Sequence, residues 1–156
     1  MRSIRFGLAV AAIAATLAMP AGAAATQPEP VTITVETQLG VENTFSATGG
    51  LVCATGTVST LGGGPTGATR TFNGGQSGSQ AQILLSQRFE CPDGSFDVLL
   101  RVTLDFATGD TVGTWSVLGG TGAYASLHGA GSLTGDRVEP WDLVILDTYT
   151  GRIHLD

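Results

Sequence analysis

Residues 113–135 read GTWSVLGGTGAYASLHGAGSLTG. Seven of these positions are glycine, and Gly120-Thr-Gly122-Ala-Tyr-Ala125 fits the G-x-G-x-x-G/A form of a dinucleotide-binding turn. That turn needs a strand before the glycines and, after them, a helix whose N-terminus meets the pyrophosphate. A strand-like run, Thr111–Leu118, does precede them. A helix does not follow. Gly129 and Gly131 interrupt any helical run within two turns, and each costs about 1 kcal/mol in a helix interior. Asp142 stands where a ribose-binding acid would stand, but no helix and parallel strand deliver it. The stretch reads instead as the corner of a β-structure. Gly119, Gly120 and Gly122 turn the chain sharply after Thr111–Leu118, because glycine permits positive φ and close backbone approach. Tyr124 and Leu127 then drop onto the end of the core. Gly129 and Gly131 start a strand that can curve tightly.

Strand signals continue on both sides of this corner. Runs of Val, Ile, Thr and aromatic residues alternate with Gly, Asn, Asp and Pro, the pattern of a chain of short strands. About eight are expected: Val31–Leu39, Phe45–Leu61 with a break near Gly49–Gly50, Ala68–Phe72, Gln80–Cys91, Ser95–Phe106, Thr111–Leu118, Leu127–Thr134 and Trp141–His154. The PDG of Pro92–Gly94 and the ATGD of Ala107–Asp110 are tight turns. They define a three-strand meander from Gln80 to Leu118. Leu61–Gly67 and Asn73–Gln80 are glycine-rich loops without the Lys-Ser/Thr ending of a nucleotide phosphate loop.

Period-two alternation separates the faces. Ala81, Ile83, Leu85, Phe89 and Cys91 share one side of their strand, and Gln82, Ser86, Arg88 and Glu90 the other. In the next strand Phe96, Val98, Leu100, Val102, Leu104 and Phe106 oppose Asp97, Arg101, Thr103 and Asp105. One apolar interior with a wet outer face closes most naturally as an antiparallel barrel; a β-sandwich is the second choice.

The first 25 residues stand apart. Arg2 and Arg5 precede an uncharged apolar run, and Ala21-Gly-Ala23 offers an A-x-A cleavage site. This is the order of a secretory signal peptide, cleaved near Ala23 or Ala25. Residues 26–30 form a short leader and 31–156 a single barrel domain. The apolar run is short for a membrane span, which needs about 20 residues, so no membrane insertion is expected. Two of the seven arginines leave with the signal; five basic residues then face thirteen acidic ones, a net charge of −8. Nucleic acids and anionic membranes both select basic patches, so neither is an expected partner. In an exported chain the two cysteines, Cys53 and Cys91, are expected to pair as a structural disulfide. Metal binding needs more ligands than they offer, and His128 and His154 share no ligand spacing with them. Neither metal nor cofactor is expected.

The corner carries a resemblance. GGTGAYASLHG is similar to the glycine signature of dirigent proteins and the wider allene oxide cyclase-like barrels, in which GGTG is followed two residues on by an aromatic. Gly119, Gly120, Thr121, Gly122, Tyr124 and Gly129 fall at the matching spacing, while Leu127 and His128 replace the usual alanine and arginine. Secreted bacterial proteins with a G-T-W-x-V…GTGAYAxLxGxG ending are closer still. The resemblance covers residues 113–135. It implies an eight-stranded antiparallel barrel and a homo-oligomer, trimeric in plant members. No catalytic residue of the family matches a position here.

Candidate chemistry is sparse. Arg88, Glu90, Asp97, Arg101 and Asp105 fall on the polar faces, where charged groups are solvated. No G-x-S-x-G elbow is present, and two histidines supply no triad order. The last strand differs. If Leu143, Ile145, Asp147 and Tyr149 face inward, Asp147 and Tyr149 form a polar pair in an apolar barrel, able to orient a ligand or to act as acid and base. Tyr124 is a third candidate ligand contact. Trp115 and Trp141 are packing residues. The expected function is a secreted, non-enzymatic binding or scaffold barrel that takes an apolar small molecule. The alternative is a dirigent- or cyclase-type enzyme that steers such a substrate by shape; a hydrolase is disfavoured.

Overall fold

A computed structural model describes residues 26–38, 43–61, 80–105, 107–138 and 144–156. The expected signal peptide, the expected strand Ala68–Phe72 and Trp141 lie outside the described residues, as do parts of both glycine-rich loops. Eight strands follow in order: β1 (Glu29–Gln38), β2 (Asn43–Thr48), β3 (Thr55–Leu61), β4 (Gln80–Cys91), β5 (Gly94–Asp105), β6 (Thr111–Gly122), β7 (Leu127–Arg137) and β8 (Val144–Leu155). Each pairs antiparallel with the next, and β8 pairs with β1 from Glu29↔Ile153 to Gln38↔Val144. The sheet is therefore a closed barrel, with no free edge to cover, and the sandwich is excluded.

The eight strands arise differently from the expectation. The expected break in Phe45–Leu61 is present as residues 49–54, which leave the sheet, so the run counts as two strands, β2 and β3. The larger correction falls on the glycine corner. Gly119, Gly120 and Gly122 do not turn the chain out of the sheet; they extend β6, pairing Asp97↔Gly119, Phe96↔Gly120 and Gly94↔Gly122. The register slips between Asp97 and Val98, whose partners are Gly119 and Val117. Leu118 is thus the extra residue of a bulge, which bends and twists the strand. Glycine is needed here for close approach. A Cβ on Gly120 would run into the Tyr124 carbonyl oxygen, and one on Gly122, at φ 58°, into that of Asp93. The turn itself is residues 123–126, closed by Tyr124 N–H to Thr121 O at 3.0 Å and Leu127 N–H to Tyr124 O at 3.0 Å.

The two ends of the barrel are unlike. At one end the connections are 49–54, 92–93 and 123–126, and they fold over the opening. Tyr124 and Leu127 are buried there. The Tyr124 hydroxyl donates to Asp93 Oδ1 at 3.1 Å; burial, then this carboxylate, raises the phenol's pKa. Cys53, in the 49–54 connection, is bonded to Cys91 at the end of β4, so the disulfide ties the cap to the wall. From this end a column of aromatic rings climbs the interior. Phe96 packs on Tyr124 at 5.5 Å and stacks on Phe89 at 4.9 Å. Phe89 meets Phe45 edge-on at 5.2 Å and Tyr149 edge-on at 5.7 Å. Trp115 lies beside Tyr149 at 6.5 Å. Val31, Ile33, Val35, Val58, Val98, Leu100 and Ile153 fill the space around the column.

The outer faces follow the same alternation. Around β1 they are rows of hydroxyls, Thr32 opposite Thr48 and Thr150, and Thr34 opposite Ser46 and Thr148. β-Branched threonine suits a solvated pleated face. On β4 and β5 the outer face is charged, and Arg88 pairs with Asp97.

Candidate functional site

The other end of the barrel, where β1–β2, β3–β4, β5–β6 and β7–β8 connect, holds the inward polar groups. Alternation along β8 sends Ile145, Asp147, Tyr149 and Ile153 inward. Asp147 is 8% exposed and Tyr149 1%. Of the two faces that the last strand offers, the fold turns the one with Asp147 and Tyr149 inward.

Asp147 sits between two strands that face it with hydroxyls. Thr37 Oγ1, on β1, donates to Asp147 Oδ2 at 2.7 Å. Thr111 Oγ1, at the start of β6, donates to Asp147 Oδ1 at 3.2 Å. Between β6 and β8 runs β7, whose inward residue at this level is Gly135, paired with both Thr111 and Asp147. A Cβ there would collide with Thr111 Oγ1 and Asp147 Oδ1, so the missing side chain is what lets Thr111 reach the carboxyl across β7. Burial pushes the Asp147 pKa up, and the two hydroxyl donors oppose it. The net effect favours a protonated carboxyl relative to an ordinary aspartate.

One level deeper, the Tyr149 hydroxyl donates to Gln87 Oε1 at 2.5 Å. Burial, then the Asp147 charge, holds this phenol well above its ordinary pKa. Gln87 is 4% exposed and spans the interior from β4. It was legible only through its parity: it lies between Leu85 and Phe89 on the inward side of β4, where an uncharged amide passes for an apolar residue's neighbour. Trp115 Nε1 is buried without an acceptor among the described residues, a donor left unpaired at a cost of about 1–3 kcal/mol. Its indole lies against Gly151, where a Cβ would strike Cζ2.

The Tyr149–Gln87 bond forms a floor. Above it some inward side chains of β4 and β5 are no longer fully covered, although Leu100 and Val102 stay buried. Ile83, Leu85 and Leu104 are half-buried, as is Ile145 on β8, whereas Phe89 and Phe96, below the floor, are at most 1% exposed. Among the described residues these inward positions outline a bowl, with an apolar wall on β4 and β5 and a polar wall of Thr111, Asp147 and Thr37; residues 39–42, 62–79 and 139–143 of the connections at this end lie outside the described residues. Tyr124 is not part of it. It lies in the cap at the opposite end, bonded to Asp93, so the three candidate ligand contacts divide into an inward pair and a cap residue.

A second depression lies outside the barrel, an open groove of about 640 Å³ where β1 and β2 part beyond Val35↔Phe45. Thr34, Thr44, Ser46, Thr55 and Thr57 line it, with Glu36 as its one titratable group. Among the described residues no set of three or more His, Cys, Asp or Glu side chains forms a ready metal site. No family model, curated protein or solved structure matches the chain.

Proposed function

We propose that the protein is an exported small-molecule carrier, and that its ligand enters the bowl above the Tyr149–Gln87 floor. One observation carries this reading: a buried carboxyl, held by two hydroxyls, faces an otherwise apolar and partly uncovered half of a closed barrel. Binding pockets are mostly apolar with a few placed polar groups that fix orientation. Here those groups are Asp147, Thr37 and Thr111. The ligand is an apolar molecule with one hydrogen-bonding group directed at Asp147. The disulfide is compatible with export, since such bonds persist in oxidising compartments, and the amino-terminal pattern of Arg2, Arg5 and the apolar run supports the same reading. The resemblance to allene oxide cyclase-like barrels agrees with the closed eight-stranded architecture.

A second reading draws on the same carboxyl. A carboxyl that holds its proton more tightly than an ordinary aspartate, beside a phenol in a site of low polarity, is equipped for acid–base work on a bound apolar substrate. The carrier reading is preferred because both Asp147 oxygens and the Tyr149 hydroxyl are engaged in bonds within the protein.

The test is titration of the mature chain with N-phenyl-1-naphthylamine, a neutral aromatic probe with one N–H donor. Its fluorescence should rise on binding. Leu85→Trp, which fills the bowl, should abolish the rise, and Arg101→Ala, on the outer face, should leave it intact. Native mass spectrometry of protein from the expressing culture's medium should show a co-purified small molecule and report the oligomeric state. No enhancement and no adduct would leave the barrel a scaffold. Turnover of a co-purified compound, lost in Asp147→Asn, would favour the enzyme.

A further inference from the structure

We propose that His128, His154 and Asp156 form a surface site for one divalent ion of the zinc and copper class. The sequence separates the two histidines by 26 positions, but β7 and β8 make them direct cross-strand partners. Side chains so placed have Cβ atoms about 4.5–5.5 Å apart. The imidazole rings lie stacked, with centroids 5.4 Å apart and planes 26° from parallel. Both turn the same nitrogen to one carboxylate: His128 Nε2 is 2.9 Å from Asp156 Oδ2, and His154 Nε2 is 3.6 Å from Asp156 Oδ1.

The carboxylate is held in place by its backbone. Asp156 N–H donates to the Ser126 carbonyl at 3.3 Å, and Ser126 Oγ donates to the Asp156 carbonyl at 3.1 Å. The three groups stand as a polar cluster, not a closed coordination sphere, because the 3.6 Å contact is longer than the spacing of two ligands of one tetrahedral ion. Zinc binds imidazole nitrogen at about 2.0–2.1 Å and carboxylate oxygen at about 2.0–2.2 Å, so adjacent tetrahedral ligands stand a little over 3 Å apart. The His128 contact already approaches that spacing, and a small side-chain rotation of His154 closes the other.

Access and chemistry agree with this. The side chains of His128 and Asp156 are 55% and 56% exposed, and that of His154 is 32% exposed. Rotation of His154 opens its stack on His128 and leaves the barrel core untouched, and water can complete the sphere. Imidazole selects zinc, nickel and copper over magnesium and calcium, with copper(II) the tightest of the divalent series. The only cysteines are joined in the disulfide and do not compete. The cluster lies at the capped end, away from the bowl, so its test is independent of the carrier reading.

The experiment uses the mature chain without an affinity tag and adds Zn²⁺ or Cu²⁺ alone. Calorimetry should give one ion per chain. Copper(II) electron paramagnetic resonance should show hyperfine coupling to two nitrogens. His128→Ala and His154→Ala should each weaken binding by at least about tenfold and lose one nitrogen coupling, and Asp156→Asn should weaken it by about 10-fold without changing the nitrogen count. His128 and Asp156 are exposed and His154 is half-buried on the outer face, so the variants should keep the wild-type circular dichroism spectrum. Binding that survives in the His128→Ala/His154→Ala double variant, or a spectrum with no coupled nitrogen, would overturn the assignment.

Discussion

The two halves of the barrel interior are built from the same eight strands, yet they solve different problems. At the capped end, inward positions carry Phe45, Phe89, Phe96, Leu127 and Ile153, each 3% exposed or less. At the other end the same strands turn inward Thr37, Ile83, Leu104, Thr111, Ile145 and Asp147, of which only Thr111 and Asp147 are buried. A barrel of eight strands is just wide enough for side chains to fill or for one small ligand to occupy. The capped half uses the first option. On the proposed carrier reading the open half takes the second. Stability and recognition would then be separated along one axis, so a change in either half should register in a different measurement.

The largest effect should come from emptying the capped half. Phe89 touches Phe45, Phe96 and Tyr149, and Phe89→Ala removes the hub of the column. Burying a phenylalanine at such a site makes its deletion cost about 3–5 kcal/mol. Ile83→Ala, on the same face of the same strand but half-buried, should cost less than half as much, because solvent already reaches part of that side chain. Urea denaturation of the two variants measures both. Equal losses would mean that the interior is uniformly packed and would remove the basis for a binding half.

Much of this division could be read before the fold was known, and the exceptions are instructive. Alternation places Phe89, Phe96 and Leu100 on the inner face because period-two geometry is local, whereas it leaves two choices for the last strand and only the fold turns Asp147 inward. The disulfide followed from compartment and count. The glycine corner departs from the expected turn because glycine permits both a turn and a bulge, and only pairing with β5 distinguishes them. Gln87 and Gly135 escaped notice for a different reason. Their roles depend on residues 62 and 12 positions away, and no local pattern encodes which strand lies across a barrel. The same limit hid the meeting of His128 with His154.

A middle-sized effect should appear as pH dependence in the open half. The Asp147 pKa is raised in the folded protein by burial. Below the ordinary carboxylate range the group is protonated in both folded and unfolded chains, and its contribution is full. As pH rises past that range the unfolded chain gives up the proton first while the folded chain keeps it. The unfolded state then binds fewer protons, so stability falls with pH until the raised folded value is passed. Asp147→Asn removes the titration. Urea midpoints taken across this window should decline less in the variant than in the parent. The opposite slope would mean that Thr37 and Thr111 stabilise the carboxylate by more than burial opposes it.

The smallest effect should come from outside the barrel, where neither half is touched. Arg88 Nε and one terminal nitrogen donate to the two Asp97 oxygens at 2.8 and 2.9 Å, a two-point contact between directly opposed residues of β4 and β5. The geometry is good, and Asp97 by hydrogen bond and charge raises the guanidinium pKa. Yet the Arg88 side chain is 40% exposed. Water competes for both partners, and salt screens what remains. Exposed pairs of this kind contribute about 0–1 kcal/mol. Arg88→Ala should therefore shift the urea midpoint by a small amount that shrinks further in high salt, and it should leave probe binding unchanged. A loss as large as that of Ile83→Ala would show that the wall between β4 and β5 depends on its outer face, and that the interior alone does not set the difference between the two halves.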